Sequence, residues 1–466
     1  MATATRKAPA ATVRVWEDDP MSEGAMPVER PAPKLPKARM KLAFDVPQPP
    51  AGLYEPGTAE FRWWCTADAL SRAVAFWQPL LPKNQTWQQG AELTVRVDAG
   101  DKLNAFYNRQ TLSFFHATVK GQTLYTGESP DVTTHECGHA ILDTIRPELW
   151  DAMSHEVAAF HESFGDMSAL LIGLQLPALR AEVLAETGGV LNRSNRLSRL
   201  AEQLGWGARQ RSLCSAEPDC LRNAVNCFAY QPPEQLPVLG PASTLTSEPH
   251  SYSRVFTGAF WLTLTGMVLT LNVTPDSDTV LEASHDAAVL LLAAARNATI
   301  APNYMAQVAA AFVAADQQLF SGKYADAIAN GFVGKGVLTD SGASAAKAAV
   351  AAAAPASRRQ GLAQMTLAGG DFGLDRPVVC HAPAEPQQYA VAALANDGGP
   401  ARPPSAEATA RGFLRELMAR DSVTRPGRDP QTGTHSHELV DEGGAFRVVR
   451  RLFDAGVRWP RDGREV

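Results

Sequence analysis

Two histidines four positions apart with a glutamate beside the first, His135-Glu136-Cys137-Gly138-His139, have the residue types and spacing to hold and use a metal ion. On a helix, four residues make about one turn, so both imidazoles face one side and can share a tetrahedral zinc. Glu136 then lies next to the metal without competing as a ligand, where a carboxylate can act as a base toward water. The five residues could also arise by chance on a solvated helix face, so the third ligand decides the reading. Glu162, within His161-Glu162-Ser163-Phe164-Gly165-Asp166, offers a carboxylate on a second helix beyond the turn at Pro147. Three protein ligands, His135, His139 and Glu162, leave the fourth position of one zinc ion open for water, the arrangement of a catalytic site. A structural zinc would want that position closed, usually by cysteine, and Cys137 points off the histidine face. Asp166, one turn beyond Glu162, can orient a ligand imidazole through its other ring nitrogen. His155 and His161 read as surface or supporting groups rather than ligands.

Positioning these side chains takes two helices and a turn. Ser129 can cap the first, Pro130 suits its first position, and Pro147 stops it just after Arg146. Apolar spacing predicts helices over 59–81, 132–146, 152–176, 253–271, 279–295, 304–319 and 324–330, and strands over 93–97 and 112–119. Residues 1–57 are rich in Pro, Ala and mixed charge and read as a flexible arm. A sheet-containing lobe with the zinc helix then covers 58–150, a helical lobe 151–340, an Ala/Pro/Gly-rich linker 341–405, and a C-terminal extension of unreadable role 406–466. That extension holds an amphipathic helix over 406–420 and a strand and helix over 437–453, with His435 and His437 read as a solvated pair.

With 466 residues, 45% of them hydrophobic, the chain can bury a sizeable core. A net charge of −6 and the lack of a Lys/Arg block argue against nucleic acid as a partner. The most apolar run, 287–295, is too short to cross a bilayer, so no membrane span is predicted. Arg6 and Lys7 are followed by no apolar core, so no signal peptide is visible; the expected location is cytoplasmic by default, with secretion by a route lacking a cleavable signal as the alternative. Cys214, Cys220 and Cys227 cluster in a loop-like stretch and could pair under oxidising conditions, while Cys65, Cys137 and Cys380 read as free or buried thiols.

From about Thr58 to Leu338 the chain resembles the thermolysin-like metallopeptidases, a gluzincin family. Asn104-Ala105-Phe106-Tyr107-Asn108 is similar to the family's substrate-binding edge strand, 131–140 to its zinc helix, and 161–166 to its Asn-Glu-x-x-Ser-Asp segment. Pro249-His250-Ser251-Tyr252-Ser253 is similar to its His-x-x-Ser helix start. The resemblance implies an α+β, two-lobed metallopeptidase with an N-terminal sheet-containing lobe, a C-terminal helical lobe and the zinc helix between them. It implies peptide or protein substrates, endopeptidase action, Glu136 as catalytic base, His250 as donor to the developing oxyanion, and Asn104 and Ala105 as partners of the substrate backbone. Two departures stand out. Trp150 occupies the place of a tyrosine that also serves the oxyanion, which means either weaker stabilisation or a substitute such as Tyr252. The acidic partner expected five residues before His250 is Leu245, with Glu248 nearby. Calcium is doubtful, being hinted at only by Asp131, with Gly173 where a further carboxylate would stand. The rival readings are a zinc-containing peptide binder with weakened turnover and an aminopeptidase of another gluzincin branch.

Overall fold

A computed structural model of the chain describes residues 11–37, 39–351, 361–386, 389, 391–426 and 435–456, and its architecture is α+β. In chain order come β1 (Thr12–Val15), β2 (Val28–Pro31), β3 (Lys41–Phe44), α1 (Ala59–Trp77), β4 (Glu92–Arg96), β5 (Ala105–Tyr107), β6 (Thr111–Phe114), β7 (His116–Val119) and β8 (Gln122–Tyr125). There follow α2 (Pro130–Ile145), α3 (His155–Gly173), α4 (Pro177–Thr187), β9 (Arg199–Leu200), α5 (Glu202–Arg209), β10 (Arg222–Asn223), α6 (Pro249–Leu271), α7 (Ser277–Asn297), α8 (Tyr304–Leu319), α9 (Ala325–Gly334) and α10 (Asp340–Ala351). The last elements are β11 (Leu362–Leu367), β12 (Val378–Pro383), α11 (Ala406–Ala419), β13 (Val423–Thr424), β14 (His437–Asp441), β15 (Phe446–Arg450) and β16 (Phe453–Asp454).

The main sheet has the order β16-β5-β6-β4-β3, so one edge comes from the far end of the chain. The predicted strand over 112–119 is two strands in different sheets. At Phe115 the backbone N–H donates to Thr126 Oγ1, the chain leaves β6, and β7 pairs with β8 instead. The expected arm also differs from what is found. Residues 1–10 lie outside the described residues, but β1 pairs with β2 and buries Val13 and Val15, while β3 joins the main sheet beside β4. Asp19 ties this segment to the body, accepting from Ser129 Oγ at 2.6 Å and from the Gln203 N–H at 2.8 Å. Proline and alanine dominate the composition there, but two alternating valines suffice for a short buried strand.

Helix α2 starts as its sequence suggests: Ser129 Oγ accepts from the Val132 N–H and Pro130 takes the first turn, a cap worth about 1 kcal/mol. Ser154 caps α3 in the same way. The two helices cross at a pair of glycines. A Cβ on Gly138 would lie 2.9 Å from Gly165 Cα, and one on Gly165 would lie 2.7 Å from the His135 ring. Any side chain at either position would push the helices apart. Trp77 of α1 stacks on Phe164 of α3, with ring centroids 5.6 Å apart, and anchors the crossing in the core. Helix α6 is long and apolar enough by length and composition to cross a membrane, although no span is predicted from the sequence, and 72% of its apolar window is buried inside the protein.

Among the described residues of the linker and extension predicted over 341–466, those between 362 and 450 form a folded layer. Its sheet, ordered β11-β12-β15-β14-β13, packs Val378, Cys380 and Ala382 against Phe413, Leu414 and Leu417 of α11. Met153 and Ala158 join that cluster, and the Met153 N–H donates to His381 O at 2.8 Å, so the layer is fastened beside α3. Where a strand and helix are expected over 437–453, there are β14, β15 and the start of β16, because Phe446, Val448 and Arg450 are buried in alternation, the period of a strand. His437 is correspondingly buried rather than solvated, with Nδ1 at 2.9 Å from Ser436 Oγ.

Candidate metal centre

The α2–α3 crossing brings His135, His139 and Glu162 together, with one ligand atom from each lying within 4.8 Å of the others. Both Nε2 atoms face Glu162 Oε2, at 3.4 Å from His135 and 3.5 Å from His139. All three side chains are buried, and none of these three atoms makes a hydrogen bond. Buried polar atoms left unpaired cost roughly 1–3 kcal/mol each, so three of them converging on one point are poorly explained as packing. Two imidazoles and a carboxylate are a donor set that could hold a metal ion.

The surrounding charges fit that purpose. Asp166 Oδ1 lies 3.0 Å from His135 Nδ1, and Arg222 grips the same carboxylate from Nη2 at 2.8 Å and Nε at 3.2 Å. Burial would raise the Asp166 pKa, but Arg222 and His135 outweigh it and bring it to about 2. Burial would likewise lower His135, but Asp166 and Glu162 lift it to about 9. His139 is lowered to about 4, chiefly by burial, and its Nδ1 lies 2.9 Å from Nδ1 of His161. His161 is therefore a buried neighbour of one ligand. His155 is elsewhere, its Nε2 at 2.9 Å from Glu416 Oε2 of the C-terminal layer.

Glu136 is fully buried, neither of its oxygens has a hydrogen-bond partner, and burial pushes its carboxyl up to about 8. His250 stands at the start of α6. Its Nδ1 is 2.7 Å from Glu248 Oε1, and its Nε2 is 3.2 Å from Glu162 Oε2. The other oxygen of Glu248 caps α6 by accepting from the Ser251 N–H, so this carboxylate holds both His250 and the helix start. Tyr252 is no substitute for the absent tyrosine, because its hydroxyl donates to Gln231 O at 2.7 Å. The Trp150 indole N–H is likewise committed, donating to Arg450 O at 3.2 Å.

Asn104 and Ala105 line the sheet edge beside the site, and that edge is covered by β16. The Ala455 N–H donates to Ala105 O at 3.0 Å and to Asn104 Oδ1 at 3.2 Å. Sequence reasoning missed this covering strand and missed Arg222, whose two-residue strand β10 carries no motif. Glu248, noted in the sequence as the acidic residue near His250, proves to be the N-cap of α6 two residues before it.

A second group, Asp19, Asp131 and Glu202, also has oxygens within 4.8 Å of one another. Burial raises the pKa of all three, and the neighbouring carboxylates raise Asp131 and Glu202 further. All six cysteines carry free thiols; of the clustered three, Cys220 is buried and Cys214 and Cys227 are exposed.

No known family profile matches the chain, and a search of curated proteins finds no match. Among solved structures, the precursor of protealysin, a metalloproteinase from Serratia proteamaculans, is similar at 15% identity and a TM-score of 0.39, covering 72% of this chain and 90% of that one. That likeness is too slight to carry an argument.

Proposed function

We propose that the protein is a zinc-dependent endopeptidase with a thermolysin-like, two-lobed arrangement, the crossing of α2 and α3 forming the floor of the cleft. The observation that carries this reading is the Glu136 carboxylate, buried without a hydrogen-bond partner beside three converging ligand atoms. A carboxylate kept bare in that place is suited to taking a proton from water. His135, His139 and Glu162 would hold the zinc, which when bound acidifies water and polarises a carbonyl. Glu136 removes the proton from the attacking water and passes it to the leaving amine. His250, held by Glu248, donates from Nε2 to the carbonyl oxygen as negative charge develops there. Asn104 and Ala105 hold the substrate backbone as an added strand. Asp166, fixed by Arg222, orients His135.

Metal analysis beside a peptide-library digest tests this reading. Glu136→Gln should keep zinc and lose roughly 10²–10⁴-fold in turnover, the usual weight of acid–base catalysis. A zinc-loaded wild type that leaves a broad library intact would overturn it. One observation favours a second reading, a zinc-containing peptide binder: the indole N–H of Trp150 is spent on Arg450 O, so one oxyanion donor is missing. Such a binder would retain peptides in both the wild type and the Glu136→Gln variant and cut them in neither. Internal product ends support an endopeptidase, whereas single residues released from the amino terminus would mark an aminopeptidase.

A further inference from the structure

Strand β16 lies where a peptide substrate would, and consecutive backbone groups of the segment are received by groups of the site. It runs antiparallel to β5, with Phe453 opposite Tyr107 and Asp454 opposite Phe106. The Asp454 carbonyl oxygen is 2.8 Å from His250 Nε2. The next N–H, that of Ala455, donates to Ala105 O and Asn104 Oδ1, and the Ala455 carbonyl accepts from Arg222 Nη1 at 3.1 Å. Asn104 Nδ2 also donates to the Asp454 carboxylate at 3.1 Å. Side chains reinforce the pose. Phe453 stacks on His161 with centroids 3.8 Å apart and on His139 with centroids 5.0 Å apart. Ala455 faces a small cavity lined by Val132, Leu204 and Leu221 together with His135, Asp166 and Arg222. Gly456 then turns away at φ 83°, and a Cβ there would lie 2.4 Å from the His250 ring.

An ordinary sheet edge would need only the backbone pairing with β5. This segment also places one particular peptide bond, Asp454–Ala455, among His250, Asn104 and Arg222, beside Glu162 and the two ligand histidines. We propose that the protein is its own first substrate and that it cuts this bond. The inference rests on the peptidase reading above. Water adds to the Asp454 carbonyl carbon, with its proton taken by Glu136 and the carbonyl oxygen stabilised by His250. The carbon–nitrogen bond then breaks, Glu136 delivers the proton to the Ala455 nitrogen, and Asp454 is left as a new carboxyl end. Residues from Ala455 onward leave as a peptide with a free amine, and the edge of β5 loses part of its cover.

The test uses the full chain prepared without metal. Hydrogen exchange followed by mass spectrometry should first show the Ala455 amide protected, a readout independent of activity. On adding zinc, the wild type should yield a fragment beginning at Ala455 at a rate independent of protein concentration, and Glu136→Gln should yield none. Ala455→Pro, which removes the donor to Ala105 O, should slow the cut at least tenfold while an added library peptide is still hydrolysed. Phe453→Ala, which removes the stacking and leaves the backbone intact, should slow it as well and serves if the proline variant fails to fold. Wild type that hydrolyses added peptides and leaves Asp454–Ala455 intact overturns the inference while the peptidase reading stands. An exposed Ala455 amide, or a cut whose rate rises with protein concentration, overturns it too. If no peptide of any kind is cut, the peptidase reading falls and takes this inference with it.

Discussion

Replacing Asp166 by Asn isolates one charge at the candidate metal centre. The substitution keeps the shape and an acceptor oxygen, so the 3.0 Å approach to His135 Nδ1 and one contact from Arg222 can persist. What disappears is the negative charge that holds the His135 ring and balances the buried Arg222 guanidinium. Carboxylates behind metal-bound histidines are typically worth 10–100-fold in affinity. Tenfold is about 1.4 kcal/mol, so the expected loss is about 1.4–2.7 kcal/mol of zinc binding. The upper end is expected because Arg222 keeps its charge and is left close to His135. Competition with a chromophoric chelator, in a Glu136→Gln background so that the chain stays intact, reads the zinc Kd directly. Arg222→Met in the same background should cost less than Asp166→Asn, since it leaves the carboxylate on His135. A zinc Kd for Asp166→Asn within twofold of its parent would refute the claim that this carboxylate orients a ligand.

Three further outcomes follow from other parts of the structure. Glu156 is buried, accepts from Tyr230 Oη at 2.7 Å and from the Met305 N–H at 2.8 Å, and is raised by burial from 4.5 to about 7. The folded state therefore binds this proton more tightly than the unfolded state, so its stabilising effect is complete below pH 4.5 and lost as pH rises to about 7. Glu156→Gln should remove a loss on the order of 3 kcal/mol across that window, seen as a flatter urea midpoint against pH. Arg146 is buried and donates to Ala295 O, Arg296 O and Ala298 O at 2.7, 3.1 and 2.9 Å, capping the end of α7, so Arg146→Met should cost about 3 kcal/mol in denaturant unfolding. Free zinc at about 100 times its Kd should stabilise the fold by about 2.7 kcal/mol, and EDTA should lower the Tm of Glu136→Gln accordingly. An unchanged Tm would mean that the His135, His139 and Glu162 group does not bind zinc in the folded state.

What was legible in the sequence was local. His135 and His139 are fixed on one face by the helical period alone, and Ser129 and Pro130 mark where their helix begins, whereas the cap at Ser154, which starts α3 three residues later than the spacing suggests, was not read. Glu162 needed only the turn at Pro147 between two helices. The glycines at 138 and 165 were visible, but that they face each other at the crossing is a matter of packing, which no spacing records. Likewise Asp19, Asp131 and Glu202 meet across most of the N-terminal half, and the first sits in a stretch whose composition looked unfolded.

The covering strand shows why the remainder was illegible. β16 is two residues long, too short for an alternation to register, and its partner Asn104 lies 350 positions earlier. Pairing over that separation carries a large loop-closure cost, which a two-residue strand could not meet alone. Other contacts of the C-terminal layer share that cost: His381 to Met153, Glu416 to His155, and Arg450 to Trp150. Trp150 thus has a structural task where the resembling family has a catalytic phenol. Its indole N–H holds Arg450 O, and its ring meets Phe453 edge-on with centroids 5.4 Å apart. The residue that looked like a loss of catalytic function when read alone is therefore one of the contacts that bring the end of the chain to His135, His139 and Glu162.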